Sequence, residues 1–310
     1  MFWRADIGPD AESFKVLLKR GEFVDEARDG RVVPFKIYYP TDHSLDKMPV
    51  VLWSHGFGGN RDGASFISRF VAAYGYALLH MTHEGTDSSL WEGKPGHPWD
   101  ILKKVKVPRE VTLNRMFDVS FVLDQLPGWA EENPDIGVHM DLGNVGMSGH
   151  SFGALTTQVM AGQLVPNVND ELTSYKEERI RAGILYSPIP IRHLSDAPDE
   201  QVYGSIDIPL FHMTGTEDDS PIEGFDYTRR LIVHEHSGHE NKHLMVLKDG
   251  DHMVYNGTRG KLGKNPNREK HEDIIKISSL AFWDAYLKGD AAAKEWLDGE
   301  GMKAYIDQHG

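Results

Sequence analysis

Residues 149–153 read Gly149-His150-Ser151-Phe152-Gly153, a Gly-x-Ser-x-Gly pattern. A short β-rich run, Asn144–Ser148, precedes it, and a helical pattern over Phe152–Leu164 follows. That context is the one a serine nucleophile needs, a sharp turn between a strand and a helix. The turn lifts the Ser151 hydroxyl clear of the backbone. Glycine on either side, two positions away, leaves room for the neighbouring strand and helix. The Phe152 N–H then starts a helix, where it can bind oxygen as negative charge develops. The chemistry implied is attack by Ser151 on a carbonyl carbon.

A hydroxyl is a poor nucleophile at neutral pH and needs a base, which in turn needs an orienting carboxylate. With this motif the chain order is Ser, then Asp or Glu, then His. Gly215-Thr216-Glu217-Asp218 follows the strand candidate Leu210–Thr214, and Gly250-Asp251-His252-Met253 follows the strand candidate His243–Leu247. Asp218 and His252 therefore both fall at the C-terminal ends of strands, the edge where ligands collect in open parallel sheets. Asp219 stands beside Asp218 as a rival for the acid. A second oxyanion donor is expected from the glycine-rich loop Ser54-His55-Gly56-Phe57-Gly58-Gly59-Asn60, with the Phe57 N–H as the candidate. Trp91 and Trp99 are candidate walls of a substrate groove, although aromatic residues more often serve the core.

These residues require a scaffold of alternating strands and helices. Strand patterns occur at Phe14–Leu18, Val32–Tyr39, Val50–Ser54, Tyr76–Met81 and Ala182–Tyr186, besides those named above. Helical spacing occurs at Ala64–Tyr74, Val111–Leu126, Asp273–Leu287, Ala291–Leu297 and Met302–Ile306. The alternation predicts an α/β fold built from stacked βαβ units. Pro40–Lys47 reads as a polar turn. Residues 84–108 follow no period and are expected to form a lid or loop over the site, with a smaller excursion at 165–180. No linker divides the chain, so a single domain over 1–310 is expected.

Composition narrows the function. The chain has 310 residues, 33 Lys and Arg against 47 Asp and Glu, and a net charge of −14. That balance opposes nucleic-acid binding, which needs clustered positive charge. With 40% hydrophobic and 26% charged residues the chain reads as globular. No apolar run reaches the length of a membrane helix. No basic start followed by an apolar core opens the sequence, so a cytoplasmic location is expected, with a secreted mature form left open. There is no cysteine, which removes disulfides, thiolate zinc sites and a cysteine nucleophile.

Several stretches together resemble the α/β-hydrolase superfamily: SHGFGGNR at 54–61, DVSFVLDQL at 118–126, GMSGHSFGA at 146–154, GTEDDSPI at 215–222, GDHMVYNG at 250–257 and AFWDAYLKGD at 281–290. Within it the chain is similar to predicted dienelactone hydrolases and platelet-activating-factor-acetylhydrolase-like esterases, which neighbour the bacterial cutinase-like polyester hydrolases. The resemblance implies a mostly parallel central sheet with helices on both faces. It implies Ser151 as nucleophile, Asp218 as orienting acid, His252 as base, and Phe57 and Phe152 as oxyanion donors. It implies hydrolysis of carboxylic esters, small-molecule, lipid or polymer, with no metal or other cofactor. True dienelactone hydrolases use a cysteine nucleophile, so dienelactone itself is not the expected substrate. Short-chain acyl esters are the default.

Other readings compete. A triad can serve amides as well as esters. His234, His236, His239 and His243 form a dense cluster, but no recognised ligand spacing accompanies it, and a solvated loop is the expectation. Asn256-Gly257-Thr258 matches a glycosylation acceptor, a tripeptide common by chance. A non-catalytic binding protein on the same fold would predict a broken triad, whereas all three members are available.

Overall fold

The structure is a computed structural model that describes residues 2–8, 10–11, 14–41, 47–257 and 265–309. Most of the expected turn at Pro40–Lys47, and Thr258 of the glycosylation tripeptide, lie outside the described residues. The strands, in chain order, are β1 (Val16–Asp25), β2 (Arg31–Pro40), β3 (Met48–Ser54), β4 (Ala77–Met81), β5 (Met140–His150), β6 (Val165–Pro166), β7 (Leu172–Thr173), β8 (Ile180–Tyr186), β9 (Leu210–Glu217) and β10 (Lys242–Asp251). The helices are α1 (Ser65–Ala73), α2 (Pro98–Leu102), α3 (Arg109–Glu132), α4 (Pro134–Gly137), α5 (Phe152–Met160), α6 (Asp199–Tyr203), α7 (Thr228–His236), α8 (Arg268–Tyr286), α9 (Ala291–Asp298) and α10 (Glu300–His309).

Among the described residues, eight strands form one sheet in the order β1-β2-β4-β3-β5-β8-β9-β10. β1 and β2 pair antiparallel, as do β2 and β4, and every later pair is parallel. The parallel strands are apolar on both sides because both faces are covered. In β3, Val51 and Trp53 turn to one face, where α1 and α8 supply Ile67, Phe70, Ile277 and Trp283. Val50 and Leu52 turn to the other, against Leu113, Met116 and Val119 of α3 and Leu155 of α5. This is the mostly parallel sheet with helices on both faces of an α/β-hydrolase fold.

Three expectations are corrected. The first strand runs Val16–Asp25 rather than Phe14–Leu18, because its full length pairs with β2 while much of its outer side stays solvated. The expected helix Val111–Leu126 continues to Glu132 through Pro127. Trp129, whose ring stands 5.7 Å from that of Phe35, and the buried Ala130 pack the turn beyond the proline. Tertiary packing there outweighs the lost amide donor. The stretch 84–108 is not structureless: it contains a short 3-10 turn at Ser88–Leu90 and α2. The excursion at 165–180 holds the small β6–β7 ribbon. No helix of the described residues is long and apolar enough to cross a membrane.

Candidate active site

Ser151 sits between β5 and α5 with φ 55° and ψ −116°, a left-handed conformation that L side chains rarely adopt. Its own amide donates to the Tyr186 carbonyl at 2.8 Å, and its carbonyl receives Leu155 N–H at 3.0 Å. The flanking glycines are a packing demand. A Cβ on Gly149 would lie 2.8 Å from the Ser54 carbonyl oxygen and closer still to the Gly153 backbone, and one on Gly153 would lie 1.8 Å from the Ser54 oxygen. The turn is thus pressed against the end of β3, where Ser54 and Gly149 are register partners.

The neighbouring strand ends deliver the other two groups. β9 and β10 run in register to Gly215 and Leu247, then shift before Asp251 meets Glu217. At the shift the backbones nearly touch: a Cβ on Gly215 would collide with the Gly250 carbonyl. That close approach brings Asp218 and His252 together. His252 Nδ1 donates to Asp218 Oδ1 at 2.7 Å, and its Nε2 lies 3.0 Å from Ser151 Oγ. A carboxylate can only accept, so Nδ1 carries a proton, and Nε2 faces the hydroxyl. Asp218 is buried and Asp219 exposed, and it is Asp218 that reaches the ring. Thr214 Oγ1 donates to the second Asp218 oxygen at 2.9 Å. Burial would raise this carboxyl, but Arg230 and then His252 outweigh it and hold the group below its ordinary value.

His150, the variable residue before Ser151, also belongs to the site. Its Nε2–H donates to the His252 carbonyl at 2.7 Å, and the two rings stand 4.7 Å apart. Burial and the neighbouring His252 push it down to about 3, so it is a neutral donor at working pH.

The Phe57 and Phe152 rings meet edge to face at 6.1 Å. Among the described residues, neither of their amides donates to a protein acceptor. The Gly56 carbonyl receives His55 Nδ1–H at 2.7 Å and Gly59 N–H at 2.9 Å. Trp91 Nε1 donates to the Gly58 carbonyl at 2.7 Å. Two cavities meet at Ser151. One of about 250 Å³ is walled by Trp91, Trp99, Leu102 and Ile222. The other, about 200 Å³, is walled by Val105, Val107, Leu155, Ile189 and Leu194. The segment 84–108 therefore supplies walls to both, Trp91 and Trp99 to the larger.

Beneath this loop lies a polar network that sequence reasoning missed. Fully buried Arg115 donates to Ser54 Oγ at 2.9 Å, Thr86 Oγ1 at 2.6 Å, Thr156 Oγ1 at 3.0 Å and the His55 carbonyl, with its guanidinium 4.5 Å from the Phe152 ring. Burial pulls it down to about 9. Ser54 Oγ lies 3.0 Å from His83 Nε2, and His83 Nδ1 lies 2.9 Å from Asp118. Asp118 also accepts from Arg28 at 2.8 Å and Arg31 at 2.7 and 2.8 Å. Ser54, His83 and Asp118 thus repeat the Ser–His–Asp order, but all three are sealed from solvent. Their visible signal was that Ser54 and Asp118 each open a stretch quoted above for the family likeness.

The histidine cluster corrects the expectation of a solvated loop. His234 and His236 lie on α7, and His243 is buried on β10. His234 packs edge-on against His212 at 5.1 Å. Among the described residues no group of three or more acidic or imidazole side chains is placed to hold a metal ion.

No family model and no curated protein sequence matches the chain. Among solved structures it is similar to a cold-adapted esterase from an Arctic intertidal metagenomic library, at 15% identity over 88% of this chain and 94% of that one. The TM-score is 0.56 for the PEG-bound complex of that esterase and 0.52 for its native form. At that identity the likeness concerns the fold alone: the chain has the α/β-hydrolase fold.

Proposed function

We propose that the protein is a serine hydrolase of carboxylic esters that works through an acyl-enzyme. One observation carries the reading: the open Ser151 hydroxyl stands 3.0 Å from Nε2 of His252, whose other nitrogen is held by Asp218 at 2.7 Å. In this reading His252 takes the hydroxyl proton as Ser151 Oγ bonds to the ester carbon. The Phe57 and Phe152 amides stabilise the oxyanion, each worth about 3 kcal/mol. His252 then protonates the leaving alcohol, and water repeats the steps on the acyl-enzyme. The esterase naming of both structural neighbours supports an ester over an amide. Cavities of about 250 and 200 Å³ meet at Ser151, each with room for one short group, which favours a short acyl group on one side of the ester and a small alcohol on the other. The same reading treats the chain as a single domain with 84–108 as the cover of its site.

The test is a p-nitrophenyl ester series from acetate to laurate, run on the wild type and Ser151→Ala. The reading expects activity greatest on the short chains and lower by about 10⁴-fold or more without the hydroxyl. Hydrolysis surviving in Ser151→Ala, or no hydrolysis of any ester by the wild type, overturns it.

A further inference from the structure

Arg230 is the residue behind the acid–base pair. It extends from α7, the residue is 1% exposed, and its guanidinium ties the loop after β8 to the loop after β9 that carries Asp218. Nε donates to the Asp218 carbonyl at 2.8 Å, and Nη1 to the Pro188 carbonyl at 2.9 Å and the Ser187 carbonyl at 3.3 Å. Nη2 stands 3.1 Å from Asp218 Oδ1 and 3.2 Å from His252 Nδ1. The last distance separates two donors. It follows from their sharing one acceptor oxygen, so a cation lies against the imidazole edge with only Asp218 between. The Phe225 ring caps the guanidinium at 5.0 Å.

Resting on the hydrolase reading above, we propose that Arg230 is a positioning residue for the Asp218–His252 pair: it locks the carboxylate in place and opposes protonation of the ring, so that the base remains usable in mildly acidic solution. A bare Asp218 beside His252 would stabilise the imidazolium and make the ring easier to protonate. Arg230 offsets that charge, leaving a nearly neutral pair. The other groups around His252 do not compensate. His150 from β5 is a neutral hydrogen-bond donor. Tyr255, on the short helix Val254–Asn256, is a phenol pushed well above its ordinary value by burial. Asp251 accepts the Met253 amide at 2.7 Å. Ser151 is uncharged.

The sign follows directly. Removing the cation strengthens the hold of Asp218 on a charged ring, so the acid limb of activity should move to higher pH. A like charge within about 4–6 Å disfavours the charged form, so its removal is expected to move the limb by about one unit. The experiment follows the rate at which Ser151 is labelled by a fluorophosphonate from pH 4.5 to 8.5, alongside kcat/KM on a p-nitrophenyl ester read at its isosbestic wavelength. Arg230→Met and Arg230→Gln should both show the upward move. Arg230→Lys should keep the limb within a few tenths of a unit while its plateau falls. Should the methionine variant fail to fold, the glutamine variant, which retains a donor for the backbone carbonyls, carries the comparison. Neutral variants with the wild-type limb and only a lower plateau overturn the electrostatic role, as does a lysine variant shifted as far as they are. A wild type that takes no label at Ser151 means instead that the hydrolase reading itself has failed.

Discussion

Ser54 and Ser151 each stand 3.0 Å from an imidazole Nε2, and each imidazole rests on an aspartate, yet they are built for opposite ends. Ser54 closes β3 under the glycine-rich loop and takes a second hydrogen bond from Arg115 at 2.9 Å. Its relay is wholly enclosed. Ser151 lies two residues beyond Gly149, the β5 partner of Ser54, at the junction of two cavities. On the proposed function, what separates a reactive serine from a structural one here is access.

A fluorophosphonate should therefore modify Ser151 and leave Ser54 untouched. Peptide mass spectrometry of the treated protein reads this directly. An adduct on Ser54, or adduct formation surviving in Ser151→Ala, would show that access has been misjudged.

The elbow should tolerate no side chain at 153. Forcing a methyl to 1.8 Å from the Ser54 oxygen requires the backbone to move, at a cost of about 3 kcal/mol or more. Gly153→Ala should lower the urea midpoint accordingly and lose esterase activity. Gly128→Ala serves as the control. It has nothing within 4 Å and lies exposed inside α3, so it should be neutral or gain about 0.5–1 kcal/mol. Equal midpoints for the two variants would contradict the steric account.

Trp91 steadies the glycine-rich loop through its bond to the Gly58 carbonyl, besides walling a cavity. Trp91→Phe keeps the wall and removes the donor. Losing about 1 kcal/mol of loop anchoring should cost about fivefold in kcat/KM, alike for acetate and octanoate esters. A loss seen with the long ester alone would mean that Trp91 acts as a wall only.

Stability should fall as the solution is acidified, and histidines set the window. Burial pulls His80, His150 and His212 down to about 3 and His83 to about 4. An unfolded chain protonates these rings near pH 6.5, whereas the folded one does not until far lower. Their contribution is fully present above about pH 6.5 and lost progressively as pH falls toward 3–4. Each ring adds about 1.4 kcal/mol per pH unit to the slope within that window. Asp118, held below its ordinary range by Arg31 and His83 against the opposing effect of burial, adds its own loss only under about pH 4. Urea midpoints at pH 7.5, 6.5, 5.5 and 4.5 test this, and a flat series from 6.5 to 4.5 contradicts it.

Ser151, Asp218 and His252 could be read in the chain because each lies at a strand end marked by glycine, and glycine there answers a backbone constraint that leaves a local trace. The same holds for the loop around Phe57. Arg115 and Arg230 left no such trace. An arginine on an amphipathic helix looks solvated until the sheet beneath it supplies carbonyls and a carboxylate, and those arrive from distant parts of the chain. The helix expected over Val111–Leu126 runs on through Pro127 for the converse reason: a distant contact, Trp129 against Phe35, outweighs a strong local breaker. The histidines from 234 to 243 looked like one loop because spacing in sequence hides that two ride a helix and one a strand.

The bond from His150 to the backbone of His252 has a practical corollary. Grafting the five-residue turn into another scaffold, or replacing its second residue with an aliphatic one, would transplant the alcohol without the grip that steadies the imidazole beside it. Engineers who shuffle such cassettes should exchange positions 150 and 252 together with the segment that follows β10, since these behave as one mechanical part.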